Sequence, residues 1–377
     1  MSLIALSIDS VLPAYNPIQQ EMQITHQNDL HWLVTMLFAG LMIGQFFAGP
    51  LSDHYGRKKT IIAGLLFYIL GASLAALAQN YETLLIARFM QGLGGAGPRV
   101  VIQAMVRDRF SGAAMARIMS FILTVFIFIP TIAPLMGQGI IWLANWRWLF
   151  YTMAIIAAVS GLLLWFRQPE TLKEPQAFSW AQMGYALHQV FTTRVTLLAS
   201  LGSAFAFGGL MSFVTLSPLI LQGIYAVGDW FPFWFGLNAS AIGFATLTNA
   251  WLVKRYAMRH ICMISHALAV ILSLVALGTL LSNNAVMPFG LFMVYNILLY
   301  GLLGLTFGNY NAMAMEPMGH IAGAAAAVIA SISTMGTMLL GGLVAELFNG
   351  TLVPIITSYF LYGFVAFFLA YFCKSRK

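Results

Sequence analysis

Charge is what this sequence has least of. Only 8% of its 377 residues are Asp, Glu, Lys or Arg and 60% are hydrophobic, where a soluble domain carries about 25% charged residues. A soluble globular protein is excluded. Two cysteines, Cys262 and Cys373, are too few for a disulfide framework or a zinc site, and they read as small apolar side chains. No separate secretory signal shows, because the first apolar block lacks a basic flank and a small-residue cleavage site. A nucleotide-binding loop is missing too. The glycines between Gly92 and Gly97 follow no strand and precede no Gly-Lys-Ser/Thr, which speaks against ATP-driven pumping. No group of His, Asp and Glu and no Ser/Lys pair gathers at one depth, so the chain is not read as an enzyme. His266 alone makes no metal site, and no cofactor is expected.

What is present is a series of apolar blocks, each near the roughly 20 residues that cross a bilayer core as helix. A membrane β-barrel would alternate apolar and polar residues over about 10-residue segments, and stretches such as Ile61 to Ala78 or Ile261 to Leu281 do not. Twelve helices are predicted, over 1–15, 30–50, 60–79, 83–106, 117–142, 147–166, 191–220, 230–253, 261–281, 286–312, 321–346 and 351–373. The first is short for a span and opens at Met1 without a polar lead-in, so a start further upstream is expected. The fold class is therefore an all-α polytopic membrane protein.

The formal charge of +7 does not point to nucleic acid, because the basic residues are scattered in threes between blocks and form no single patch. Their placement sets topology. With the amino terminus inside, the inside loops hold Arg57, Lys58 and Lys59; Arg107, Arg109 and Arg117; Arg167, Lys173 and Arg194; Lys254, Arg255 and Arg259; and Lys374, Arg376 and Lys377. The outside loops hold Arg147 alone, a bias that places both termini in the cytoplasm. Trp32, Trp146, Trp148 and Trp230 fall near predicted outer ends and are expected to anchor at the interface. The longest inside connection, with Pro169, Glu170, Lys173, Glu174 and Pro175, reads as a linker. It separates a bundle over 1–166 from one over 191–377, with the linker at 167–190. A shift of about 200 residues lays Lys59-Thr60-Ile61 over Arg259-His260-Ile261, and a shift of 209 lays Gly92, Leu93 and Gly95 over Gly301, Leu302 and Gly304. Two six-helix pseudo-repeats are implied, an arrangement that puts substrate near the midplane between rocking bundles.

Several residues carry chemistry. Asp9 is the only carboxylate in the first block, and a lone carboxylate in low dielectric suits reversible protonation. In the fourth block Arg88, Gly92, Gly95 and Arg99 lie within roughly 60° on a helix, a stripe of two arginines and close-packing glycines. Arginine near the bilayer centre costs at least about 2.5 kcal/mol, so Arg88 should face a cavity or a carboxylate. Arg99 lies about 16 Å further along by helical rise and either snorkels or meets an anionic group. Pro130, Pro134 and Gly137 bend the fifth block. Glu346, near the outer end of the eleventh, is expected to snorkel. Tyr295, Asn296, Tyr300 and Asn309, with Arg99 and Gln103, are candidates to line a substrate cavity, although polar residues also join helices. Twenty-one Met residues and the Phe side chains offer an adaptable apolar lining, most of it explained by core packing.

The inside loop Gly49-Pro-Leu-Ser-Asp53-His-Tyr-Gly56-Arg57-Lys58-Lys59 resembles the signature loop of the major facilitator superfamily. The corresponding stretch of the second half, Asn249 to His260, keeps basic residues without the glycine and aspartate. The resemblance implies the twelve-helix superfamily fold and a latch in which Asp53 and Arg57, with Gly49 and Gly56, close the inside face against Asp108, Arg117 and the helix start near Gly323. Lys58 and Lys59 are expected only to fix topology. A helix-4 Arg88 followed by Gln91, glycine and small residues is similar to proton-coupled members. Ser7-Ile-Asp9 with Pro13, Arg107-Asp108 before Met119-Ser-Phe, and Glu316-Pro-Met-Gly-His-Ile-Ala-Gly323 resemble Bcr/CflA-type drug–proton antiporters. Ala133-Pro134-Leu-Met-Gly137 resembles the antiporter signature, with alanine for its first glycine. The implied function is proton-coupled efflux of small amphipathic compounds from a bacterial cytoplasm, as in multidrug efflux and antibiotic resistance, by a monomer in the inner membrane that uses the proton gradient. Asp9 and Arg88 would couple the proton. A dedicated exporter of one metabolite or siderophore is the alternative, and a non-transporting receptor or intramembrane enzyme is more remote.

Overall fold

The computed structural model describes residues 2–172, 174, 178–282 and 287–374, so Met1, Lys173, Pro175, Arg376 and Lys377 of the sequence reading lie outside the described residues. Among these residues the chain is helical without strands. The α-helices are α1 (Leu3–Asp9), α2 (Tyr15–Glu21), α3 (Trp32–Tyr55), α4 (Arg57–Leu77), α5 (Tyr81–Arg109), α6 (Gly112–Leu143), α7 (Arg147–Arg167) and α8 (Trp180–Thr192). They continue as α9 (Arg194–Pro218), α10 (Phe231–Leu252), α11 (Met258–Ser282), α12 (Phe289–Gly304), α13 (Phe307–Met315), α14 (Ala322–Glu346) and α15 (Val353–Phe372). Counting α1 with α2 and α12 with α13 as single passes, and setting α8 aside, twelve passes result. Seven stretches among the described residues are long and apolar enough to cross a bilayer by length and composition alone. The first pass is broken at Asp9, and α5 carries several charged residues.

Two passes expected to be continuous are interrupted. The first stops at Asp9 and resumes through a 3₁₀ turn, Leu12–Ala14, into α2. Pro13 is four residues after Asp9, and a proline has no N–H for that carbonyl and clashes with it, so the helix breaks at the carboxylate. The tenth pass breaks at Leu305–Thr306. There the Thr306 hydroxyl bonds back to the Leu303 carbonyl at 2.7 Å, offering the backbone an alternative partner, and Gly301 and Gly304 weaken the preceding turns. The connection read as a linker contains a helix of its own: α8 buries Met183, Ala186 and Val190, the i, i+3, i+7 spacing of a one-faced helix.

Contacts divide the chain into Met1–Leu187 with Gly323–Thr334, and His188–Ala322 with Met335–Lys377. In the first unit α5 lies between α3 and α4. Its start is capped by the Asn80 side chain, which accepts from Thr83 N at 2.8 Å, and Arg107 and Arg109 end it where the helix dipole favours cations. A Cβ on Gly92 would stand 1.9 Å from the Leu37 carbonyl oxygen of α3, so backbone meets backbone without side chains between them. The start of α14 belongs to this unit. Ser331 Oγ donates to Met42 O at 3.1 Å and Thr334 Oγ1 to Gln45 Oε1 at 3.0 Å. In the second unit α15 packs on α11 and α9, and α10 on α12.

One tryptophan expected at the interface is instead interior. Trp148 and Trp230 are 51% and 67% exposed, but Trp146 is 2% exposed. Its indole N–H donates to Glu21 Oε2 at 2.5 Å, and Glu21 also pairs with Arg147, whose Nη2 reaches the Ala78 carbonyl at 2.9 Å. The Arg147 guanidinium lies 4.3 Å over the Trp146 ring. One carboxylate thus joins the end of α2 to the start of α7, and the arginine extends the staple to the α4–α5 turn. Glu21→Ala strands a buried indole N–H and should cost about 1–3 kcal/mol. Thermal unfolding in detergent checks this, and an unchanged melting temperature would remove the staple from the account.

Candidate functional site

Arg88 is fully buried in α5. Its Nε donates to Leu33 O at 2.9 Å, Nη1 to Gln91 Oε1 at 2.7 Å and Nη2 to Ser7 O at 2.8 Å, and the guanidinium lies 5.7 Å over the Phe150 ring. Gln91 is held in turn by Met153 Sδ at 3.5 Å. The Ser7 hydroxyl bonds to Tyr68 and donates to Leu3 O at 2.7 Å. Every one of these acceptors is neutral. A charge withdrawn from water without a counter-ion is costly, and here three oxygens and a ring face carry that cost.

Asp9 sits two residues beyond Ser7, at the break of the first pass, and is 5% exposed. No hydrogen bond or ion pair reaches its carboxylate among the described residues. The two groups expected to couple are therefore on adjoining backbone but are not paired. Arg88 holds the Ser7 carbonyl instead. The buried Tyr15 hydroxyl, from the start of α2, also lacks a partner among the described residues.

The proline-bearing part of α6 meets the same break. Ala133 and Pro134 are buried, and a Cβ on Gly137 would lie 2.2 Å from the Ser10 carbonyl oxygen. The resemblance marked Gly137 by its motif, and the packing gives the physical reason: α6 touches the backbone one residue after Asp9.

At the other end of α3, Arg57 gathers the loop. Its Nη1 donates to Ser52 Oγ at 2.7 Å and pairs with Asp53, and its Nε donates to Asp108 Oδ2 at 3.0 Å. Gly49 packs near the Gly323 carbonyl and Ala327 within the first unit. Arg117 is exposed on α6 and takes no part in this network. Lys58 does more than fix topology: its Nζ donates to Trp165 O at 2.6 Å and lies 5.0 Å over that ring. Lys59 is exposed. The sequence places Glu170 in the linker alone and does not single out Thr171. The Glu170 carboxylate accepts from the Arg57 and Lys58 amides, and Thr171 Oγ1 donates to Asp108 Oδ2 at 3.2 Å. The loop's basic run hinted at an acidic partner, and nothing in the pattern singled out this one.

The remaining cavity candidates divide. Arg99 is half-buried and makes no hydrogen bond or ion pair among the described residues, while Gln103 is exposed. In the second unit the polar residues of the tenth pass are buried and bonded to neighbours. Tyr295 meets Ser273 at 3.1 Å, Asn296 donates to Asn238 at 2.9 Å, and Tyr300 donates to Leu210 O at 3.3 Å. Asn309 and Asn249 exchange amide bonds at 2.9 and 3.2 Å. These are cross-helix ties of the kind that join membrane bundles. His266 is buried with no hydrogen-bond partner for either ring nitrogen among the described residues, and it lines a narrow pocket with Tyr359 and Tyr362.

Comparison with known proteins bears on these arrangements. The profile of the Major Facilitator Superfamily matches residues 1–341. The chain is 27% identical to a bicyclomycin resistance protein homolog of Haemophilus influenzae, covering 98% of this chain and 93% of that protein. It is 26% identical to the multidrug resistance protein MdtL of a Shewanella species over 85% of this chain and 80% of the relative. A crystal structure of a D-xylose–proton symporter superimposes with a TM-score of 0.80 at 16% identity, covering 99% of this chain and 94% of the symporter.

The contact at the break yields a test. Gly137→Ala forces a methyl group into the Ser10 carbonyl, and overpacking of this kind costs about 1–3 kcal/mol. The melting temperature of Gly137→Ala should fall measurably, whereas Gly139→Ala, where an added Cβ meets nothing within 4 Å, should not. Equal behaviour of the two variants would rule out the close approach.

Proposed function

The chain belongs to the major facilitator superfamily, and from that premise we propose that it is a proton-coupled efflux transporter, exporting small amphipathic compounds by alternating exposure of one central site. Relatives named for bicyclomycin resistance and multidrug resistance favour export over uptake. The observation that carries the reading is the pairing of a helix break with an uncompensated charge: Asp9 ends α1 without a partner among the described residues, while Arg88 grips the carbonyl of Ser7 two residues earlier. A protonated Asp9 is neutral and leaves this arrangement undisturbed. On losing its proton, the carboxylate becomes the counter-ion that Arg88 lacks, and a small rotation of the broken segment brings the two together. Each protonation state then favours a different geometry at α1, as gradient coupling requires. Gly137 transmits that geometry to α6.

The latch residues Gly49, Asp53, Gly56, Arg57 and Asp108 would hold the cytoplasmic face closed, with both termini cytoplasmic and the protein in a bacterial inner membrane. The chain would work as two six-helix bundles, over 1–166 and 191–377, joined by residues 167–190. Its partners would be a small-molecule substrate, protons and lipid, with no cofactor and no nucleic acid, and it would act as a monomer. A second reading, a dedicated exporter of one anionic metabolite or siderophore, is favoured by Arg99, whose guanidinium finds no partner among the described residues.

Proteoliposomes carrying a pH gradient separate the two readings when challenged with cationic, neutral and anionic compounds. Several unrelated compounds should dissipate the gradient in wild type, and Asp9→Asn should abolish this. Wild-type rates in Asp9→Asn would end the proposed coupling. A response confined to anionic compounds and lost in Arg99→Ser would favour the dedicated exporter.

A further inference from the structure

One contact of the loop network is not an ion pair. After α7 ends, the Glu170 side chain turns back onto the first turn of α4. Its Oε1 accepts the Arg57 amide at 3.0 Å and its Oε2 the Lys58 amide at 3.1 Å, while Oε1 also accepts the amides of Thr171 and Leu172 at 2.8 and 3.0 Å. The start of a helix offers unpaired N–H groups and the positive end of its dipole, and here a carboxylate from 113 positions along the chain occupies them. Partial burial pushes the Glu170 pKa up. The four amides of Leu172, Thr171, Lys58 and Arg57 outweigh that and hold it below the usual carboxylate range. A depressed pKa means the contact is intact at neutral pH and is lost only as pH falls through that value.

A second observation is independent of the hydrogen bonds. Gly56, just before α4, has φ +103° and ψ 150°, a region open in practice to glycine alone. A Cβ there would also stand 2.6 Å from Glu170 Oε2. Both the turn and the space beside it are shaped for the carboxylate. The neighbours of Glu170 continue the contact. Thr171 Oγ1 donates to Asp108 Oδ2, the same oxygen that takes Arg57 Nε, and Arg109 Nη1 donates to Gln168 Oε1 at 2.8 Å. Arg57 is therefore fixed twice, its backbone by Glu170 and its guanidinium by Ser52, Asp53 and Asp108.

We propose that Glu170 is a positioning residue for the latch: residues 168–171 form a strap that sets the backbone of Arg57 so that its guanidinium can span Asp53 and Asp108, and the latch opens only when Glu170 leaves its seat. The role in transport rests on the efflux reading above, whereas the strap itself can be tested without a substrate.

The test is hydrogen–deuterium exchange of the full chain in lipid nanodiscs, comparing wild type, Glu170→Ala and Glu170→Gln. In Glu170→Ala, amides of 56–60 and 168–172 should exchange at least tenfold faster. The effect should extend to 50–55 and 104–110, which Glu170 does not touch. Glu170→Gln, which keeps an acceptor oxygen without the charge, should fall between, and it decides the matter if the alanine variant does not fold. Faster exchange confined to 56–60 and 168–172 would make Glu170 a local helix cap and overturn the proposal, as would no change at all. In proteoliposomes with ethidium as the probe, the variants should alter the maximal rate at unchanged KM, and wild-type kinetics in both would also overturn it. If wild type itself does not move ethidium, that counts against the efflux reading for this probe, and the strap is then decided by the exchange pattern.

Discussion

Arg88 carries a full charge where water does not reach, and its hydrogen bonds run to Leu33, Ser7 and Gln91. One side chain therefore binds the start of α3 and the broken first pass to α5. The arrangement holds only if all three acceptors stay within about 3 Å of a planar fork, so the backbones around it cannot drift. Close glycine packing along α5 follows from this demand: with Gly92 against the Leu37 carbonyl, α3 comes near enough for the guanidinium to reach its backbone oxygen. Among the described residues Arg88 has no counter-ion and Asp9 no donor. In that shared deficit lies the physical case for coupling a proton to a movement of α1.

The two units handle polarity by different means. In the first, charged groups carry the polar contacts: Arg88 is held by two carbonyls and an amide oxygen, Arg57 by a hydroxyl and two carboxylates, and Glu170 by the amino end of a helix. In the second, the buried polar groups described above are neutral: amide to amide between Asn249 and Asn309, hydroxyl to hydroxyl between Ser273 and Tyr295. Neutral pairs need no counter-ion, so these ties of the second unit hold without any charge being compensated.

Much of this was legible in the sequence because membranes impose strict rules. Hydrocarbon length fixes the number of passes, and the Gly49 to Lys59 loop carries a spacing specific enough to point to its superfamily. The departures share a cause. Trp146 stands where belt tryptophans stand, and only Glu21, 125 positions earlier, reveals that its N–H is bound inside. Glu170 looks like one of several linker charges until α4 is seen to begin beside it. Lys58 was read as a topological charge, although its stem and ammonium close the end of α7 at Trp165. In each case the local pattern shows only a residue type, and a contact from far along the chain decides its use. The breaks at Asp9 and Thr306 were missed for a simpler reason, since hydropathy is blind to backbone continuity even where Pro13 announces its loss.

The break in the first pass also bears on how the protein is made. The carboxylate of Asp9 and the proline that follows it break the pass between α1 and α2 and weaken its signal for entry into a bilayer, where a central aspartate alone costs about 2.5–3.5 kcal/mol on insertion scales. The groups that satisfy this segment, Tyr68 at the Ser7 hydroxyl and Arg88 at the Ser7 carbonyl, are synthesised some sixty to eighty residues later. A settled place for the stretch around Ser7 thus depends on α4 and α5, which supply its partners from later in the chain.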